Sequence, residues 1–175
     1  MDILPLLIQG RLCTALIYPA VGHTWLMQPL ATLAQRGPLK VIDGGNHFNA
    51  YRLAKAIRAQ GVDPTPILKQ VYISRSFTCH QLAACLASVS VQSFPLIVLD
   101  FLATFQDENV PLYERKRLFS TCLTILKQVA RCNPILVTVK ANQAEFVETL
   151  LANSDQVFQT EYQPVPVALP LFQDS

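Results

Sequence analysis

Gly22-His23-Thr24 is the triplet in this chain that sits closest to recognisable chemistry. It follows the apolar run Leu12–Ile17 and precedes a helix-like stretch from Trp25, the strand–loop–helix frame of a phosphate-binding loop. Such a loop ends in Gly-Lys-Thr or Gly-Lys-Ser. Backbone N–H groups cradle the phosphates, the lysine reaches them and the hydroxyl serves Mg²⁺. Here His23 replaces the lysine. It is shorter and, with an unperturbed pKa near 6.5, mostly neutral at about pH 7. The glycines are missing too, because the loop reads Ile17-Tyr18-Pro19-Ala20-Val21. Pro19 has no N–H to offer, and Tyr18 and Val21 resist positive φ. Only Thr24 keeps a group suited to Mg²⁺. A helix begun at Gly22 meets Pro29 in its second turn, where proline costs about 3 kcal/mol or kinks the helix. A helix begun at Pro29 avoids that cost but turns its N-terminus away from the phosphates.

Other reactive side chains are scattered. Asp100 closes the strongest apolar run, Phe94–Leu99. His23, His47 and His80 each follow a strand-like segment, which would bring them to one edge of a sheet, where such folds bind ligands. Cys79 and His80 are adjacent, but no zinc-ligand spacing accompanies them. No Ser-His-Asp or paired-carboxylate arrangement can be placed on the strand ends.

The elements that must position these groups alternate regularly. Strands are predicted at Leu12–Tyr18, Leu39–Ile42, Val71–Ile73, Phe94–Leu99, Ile135–Val139 and Gln156–Thr160. Helices are predicted at Trp25–Gln35, Ala50–Gln60, Cys79–Val89, Glu114–Arg131 and Glu145–Ala152, with Gly37-Pro38 and Gly61 as stop signals. The longest helix carries a stripe through Leu118, Cys122, Ile125, Leu126 and Val129. This order implies crossover units and an α/β, three-layer, mostly parallel sheet in one domain over 1–175, its core about 5–160, followed by the proline-containing tail 161–175.

The chain has 175 residues, 51% hydrophobic and only 15% charged, against about 25% charged in an average soluble domain. A coat this thin fits a sheet buried on both faces, an apolar patch covered by a partner, or both. A net charge of +2 argues for neither nucleic acid nor an anionic membrane. No apolar run reaches the roughly 18–20 residues of a membrane span. Met1–Gly10 carries Asp2 and no leading basic residue, so it makes a poor signal peptide. Five irregularly spaced cysteines, Cys13, Cys79, Cys85, Cys122 and Cys132, fit reduced thiols and a cytoplasmic setting.

Laid without gaps over Gly10–Leu26, the chain resembles the start of the RecA/RadA recombinase ATPase core. Gly10-Arg11-Leu12-Cys13 falls on the family's Gly-x-Ile-Thr entry strand, and Gly22-His23-Thr24 on the end of its Walker A motif. Val41-Ile42-Asp43-Gly44-Gly45-Asn46-His47-Phe48 resembles Ile-Asp-Thr-Glu-Gly-Thr-Phe. Arg52-Leu53-Ala54 and Gly61-Val62-Asp63-Pro64 follow in order. Ser74-Arg75-Ser76-Phe77-Thr78-Cys79-His80-Gln81 is similar to Ala-Arg-Ala-Tyr…His-Gln, and Leu96-Ile97-Val98-Leu99-Asp100 to the Walker B strand. The likeness spans roughly residues 5 to 160 and implies a RecA-like P-loop fold.

What the resemblance implies about activity is largely loss. The catalytic glutamate falls at Gly45, and the Walker A lysine at His23. Gly22, His23, Thr24 and Asp100 are the remnant of a nucleotide site, leaving ATP and Mg²⁺ binding weak and no cofactor required. The family reads DNA with two loops. The first equivalent, Ala103–Tyr113, carries Asp107 and Glu108 and no basic residue, which repels phosphate. The second, Lys140-Ala141-Asn142-Gln143, is short. Arg115-Lys116-Arg117 offers a backbone contact or a solvated helix start. The expectation is a non-catalytic paralogue acting through a protein partner or self-association, in DNA repair or recombination. Leu4–Ile8 and Val165–Phe172 are its candidate contact strips. A residual nucleotide-binding switch and a DNA-binding accessory stay open as alternatives.

Overall fold

The computed structural model describes residues 11–17, 24–89, 94–140 and 145–159. Six strands, β1 (Leu12–Ile17), β2 (Leu39–Asp43), β3 (Val71–Arg75), β4 (Leu96–Leu99), β5 (Ile135–Lys140) and β6 (Gln156–Gln159), form one sheet in the order β3-β2-β4-β5-β1-β6. Every pairing in it is parallel. The expectation of a mostly parallel α/β sheet is therefore met in full among the described residues.

The strands alternate cleanly because both faces are covered. Cys13, Ala15, Leu39, Val41, Ile97, Leu99 and Leu136 pack on one side, against α1 (Met27–Arg36) and α2 (Ala50–Ala59), with α3 (Pro64–Leu68) at the margin. Leu12, Ile42, Leu96, Val98, Ile135, Val137 and Val139 pack on the other, against α4 (Cys79–Ala87), α5 (Leu112–Ala130) and α6 (Val147–Ala152). Period-two alternation sends neighbours to opposite faces, so an unbroken apolar run is what a doubly covered strand requires.

Helix starts follow capping chemistry. Asn49 accepts from the Tyr51 and Arg52 N–H groups at the head of α2, Asp63 from Thr65 ahead of Pro64 in α3, and Thr78 from Gln81 in α4. Each satisfies N–H groups that the first helical turn leaves without a partner. α3 is absent from the sequence expectation. At five residues it is too short to show a period, although Asp63-Pro64 is a proper start signal. The Pro29 dilemma resolves in a third way. A 3-10 turn, Thr24–Leu26, precedes α1, so Pro29 is the third residue of the α-helix, where no intrahelical N–H bond is lost.

The stretch Ala103–Tyr113, which aligns with the family's first DNA loop, begins inside the core. Phe101–Phe105 is a 3-10 turn, and Phe101, Leu102, Thr104 and Phe105 are buried in the core. The buried stripe of α5 is also wider than expected, with Leu118, Phe119, Cys122, Leu123, Leu126 and Ala130 inside, while Ile125 and Val129 lie at its margin.

Cys13, Cys79 and Cys122 are buried and, like Cys85 and Cys132, free. Burial pushes the Cys122 thiol from 9.0 up to about 12, the nearby Cys79 adding to it, and burial raises Cys79 and Cys13 too. The folded chain thus holds these protons where the unfolded chain releases them. Stability is intact below about pH 9 and falls as pH rises from there toward 12. Between about pH 8 and about pH 10.5, Cys122 accounts for a loss of about 2 kcal/mol. Urea unfolding at the two pH values should show Cys122→Ala with a correspondingly flatter pH dependence than wild type.

Candidate functional site

β2 and β4 are neighbours in the sheet, yet the chain leaves them toward opposite faces, to α2 from one and through the 3-10 turn to α5 from the other. That is a topological switch point, and its carboxyl end is the crevice where open parallel sheets hold ligands. Asp43 ends β2 and Asp100 follows β4, and both are fully buried.

The two carboxylates have different tasks. Asp43 accepts from the His47 N–H at 3.1 Å and the Phe48 N–H at 2.8 Å. It folds the Gly44–His47 turn back over the strand end, with Asn46 left-handed at φ 55°. A carboxylate committed to two backbone donors holds a loop and is poorly placed to act as a base.

Asp100 is also left-handed, at φ 49°, a conformation that aspartate tolerates better than most residues. Its N–H donates to Thr138 Oγ1 of β5 at 2.9 Å. Its Oδ2 lies 3.4 Å from His47 Nε2 and 4.0 Å from Lys140 Nζ, and those two nitrogens are 3.3 Å apart. The Asp100 side chain is fully buried, while His47 and Lys140 are 47% and 34% exposed. The cluster therefore seals the carboxylate from solvent and offsets its charge, which a buried ion requires.

Gly45 is pressed against the same group. A Cβ at this position would overlap Asp100 Oδ2, with the Asp100 Cβ at 2.7 Å and Cγ at 2.8 Å. Gly44 is close as well, since its Cβ would stand 3.0 Å from the Asp100 carbonyl oxygen. The position aligned with a catalytic glutamate thus has no space for any side chain.

A divalent cation does not fit this Asp100. Its carboxylate faces the Lys140 ammonium and the His47 imidazole of its own chain, so the place a cation would take is already filled. Of the other remnant residues, Thr24 is exposed at the start of the 3-10 turn, whereas Gly22 and His23 lie outside the described residues.

The three histidines engage separate partners wherever they are described. His80, at the head of α4, bonds Glu114 of α5 through Nε2 at 2.9 Å, and its Nδ1 lies 3.8 Å from Cys79 Sγ. The order Cys–His–carboxylate is that of a thiol nucleophile and its base. The Cys79 thiol, however, is fully buried and burial raises it, the opposite of activation. The contact joins two helix N-termini.

Of the basic triplet of α5, Lys116 and Arg117 are solvated as a helix start, and Arg115 is not. Arg115 Nε donates to the Val110 carbonyl at 3.1 Å, and Nη1 to the Phe105 carbonyl and Glu145 Oε2, each at 3.0 Å. Only 13% of its side chain is exposed. It pins the turn after β4 and cannot serve a nucleic-acid backbone at the same time. Arg117 pairs with Glu114 at 3.7 Å.

Lys140 is the residue near Asp100 that the sequence reading missed. Expected to open a loop, it is the last residue of β5, beside Ile17 in the register with β1. Nothing local announces this, because the neighbourhood of β4, β5 and β1 arises only when the sheet assembles. The candidate contact strips Leu4–Ile8 and Val165–Phe172 lie outside the described residues. No described helix is long and apolar enough to cross a membrane. No protein-family model matches the chain, and no curated protein matches it.

Proposed function

We propose that this chain is a non-catalytic RecA/RadA-like module that acts by binding another protein, in the setting of DNA repair or recombination. The setting comes from the sequence resemblance alone, since a fold does not fix a function. One observation carries the loss of catalysis: Asp100 is enclosed by Gly45, His47 and Lys140 of its own chain. A hydrolase of this type needs that carboxylate for its metal and a carboxylate at position 45 for its water.

The binding half of the reading is supported at the other end of β2. β3, the outermost strand among the described residues, leaves Tyr72 55% and Ile73 41% exposed. With Pro38, Lys40, Ser74 and Phe94 they line an open groove of about 600 Å³. A strand at the edge of the described sheet, beside a groove of mixed polar and apolar lining, suits an added strand from a protein partner.

Melting with ATP and Mg²⁺ tests the first half. A ligand at roughly a hundred times its Kd stabilises by about 2.7 kcal/mol, about 5–11 °C for a domain of this size. The expected result is no shift and no phosphate release. ATP turnover that Asp100→Asn abolishes would overturn the reading. For the second half, a partner captured from the native cell by the wild-type chain should be lost with Ile73→Lys.

A further inference from the structure

The geometry points to Lys140 as a resident cation: its ammonium takes, on Asp100, the place of a divalent metal, with His47 as its second anchor. This rests on reading the carboxyl edge as a former nucleotide site and names how that site is kept closed. Three observations converge on it. Asp100 is fully buried at a strand end, so its charge demands a permanent partner. Lys140 reaches it from the neighbouring strand, with Nζ at 4.0 Å from Oδ2 and 3.3 Å from His47 Nε2. Asp100 Oδ2 and His47 Nε2 are themselves 3.4 Å apart, a carboxylate and an imidazole spaced to share one small cation.

A tethered ammonium differs from a dissolved ion in two ways. It is always present, so the carboxylate is compensated whatever the metal concentration. It also carries one charge and donates hydrogen bonds without accepting lone pairs, so it cannot activate a water as a bound divalent metal does. The strand end is thereby held in one state, independent of metal and nucleotide. That suits a module whose binding surface must stay constant.

The test uses metal alone, with no nucleotide, so its outcome is separate from that of the ATP experiment. Mn²⁺ is titrated into the wild-type chain and into Lys140→Met, read by the loss of the free-ion EPR signal and by Tm. Wild type should leave both unchanged. Lys140→Met should melt lower without metal and regain Tm as Mn²⁺ binds. The double variant Lys140→Met, Asp100→Asn should lose that response. If Lys140→Met does not fold, Lys140→Gln, which keeps a polar group near Asp100, is read in the same way. Mn²⁺ binding by the wild-type chain that Asp100→Asn removes would overturn the inference. So would a lysine variant that folds and takes up no metal.

Discussion

Restoring the glutamate that the family resemblance puts at position 45 should destabilise the protein severely and leave it without ATPase activity. The reason is space. Any Cβ at Gly45 meets Asp100 Oδ2 head-on and stands 2.7 Å from Asp100 Cβ, which no rotation of the aspartate about its own Cα–Cβ bond can relieve. Either the Gly44–His47 turn lifts or the β4 terminus moves, and both are fastened. Asp43 holds the turn through the His47 and Phe48 N–H groups, Gly44 N–H bonds the Leu99 carbonyl at 2.9 Å, and Asp100 N–H bonds Thr138. Overpacking of this kind costs about 1–3 kcal/mol for Gly45→Ala. Gly45→Glu adds a second carboxylate beside a buried one, raising the cost to about 4–5 kcal/mol or more. At about 2–4 °C per kcal/mol, the glutamate variant should melt at least 8 °C or so below wild type.

A double-mutant cycle separates this clash from a general intolerance of the turn. Asp100→Gly removes the obstructing atoms, and glycine accepts the φ of 49° found there. Gly45→Ala should therefore cost much less in the Asp100→Gly background than alone, a coupling of about 1–2 kcal/mol in urea unfolding. Equal costs in both backgrounds would mean that position 45 tolerates no side chain for some reason other than Asp100.

How far the sequence discloses this molecule depends on whether a feature is local. The strands are legible because a doubly covered parallel sheet demands unbroken apolar runs such as Leu96–Leu99. The helices α2 and α4 are legible because a buried face recurs every three or four residues, with Gly61 as a stop after α2. Asp43, Gly45 and Asp100 were found by resemblance and stand together at one edge. What escaped was of two kinds. Short elements carry no period, which hid α3 and the 3-10 turn after β4. Contacts between strands distant in sequence depend on sheet order, which hid Lys140 as the cation of Asp100. Arg115 combines both: on a solvated helix start an arginine is unremarkable, and only the carbonyls of Phe105 and Val110 turning toward it make it an anchor.

The same misreading yields the second large effect, at Phe105. Taken as part of a ligand-reading loop, Phe105 would be dispensable for stability, since surface substitutions usually fall within about 0.5 kcal/mol. In the structure it is 1% exposed, with its ring 5.5 Å from Phe101, 5.7 Å edge-on from Phe119 and 5.9 Å from Phe146. Those rings come from the 3-10 turn itself, from α5 and from the start of α6, so Phe105 ties its own turn to α5 and to the more distant α6. Its backbone is fixed as well, because Arg115 bonds its carbonyl, and the cavity left by truncation can collapse only partly. Phe105→Ala should then cost about 3–5 kcal/mol, or roughly 6–20 °C in Tm. Phe105→Leu, which refills most of the volume, should recover more than half of that. A Phe105→Ala protein that melts like wild type would mean that the turn Phe101–Phe105 is not packed into the core, and would reopen the case for a nucleic-acid loop starting there. A large loss of stability places the turn Phe101–Phe105 in the core, at the end of β4 beside Asp100.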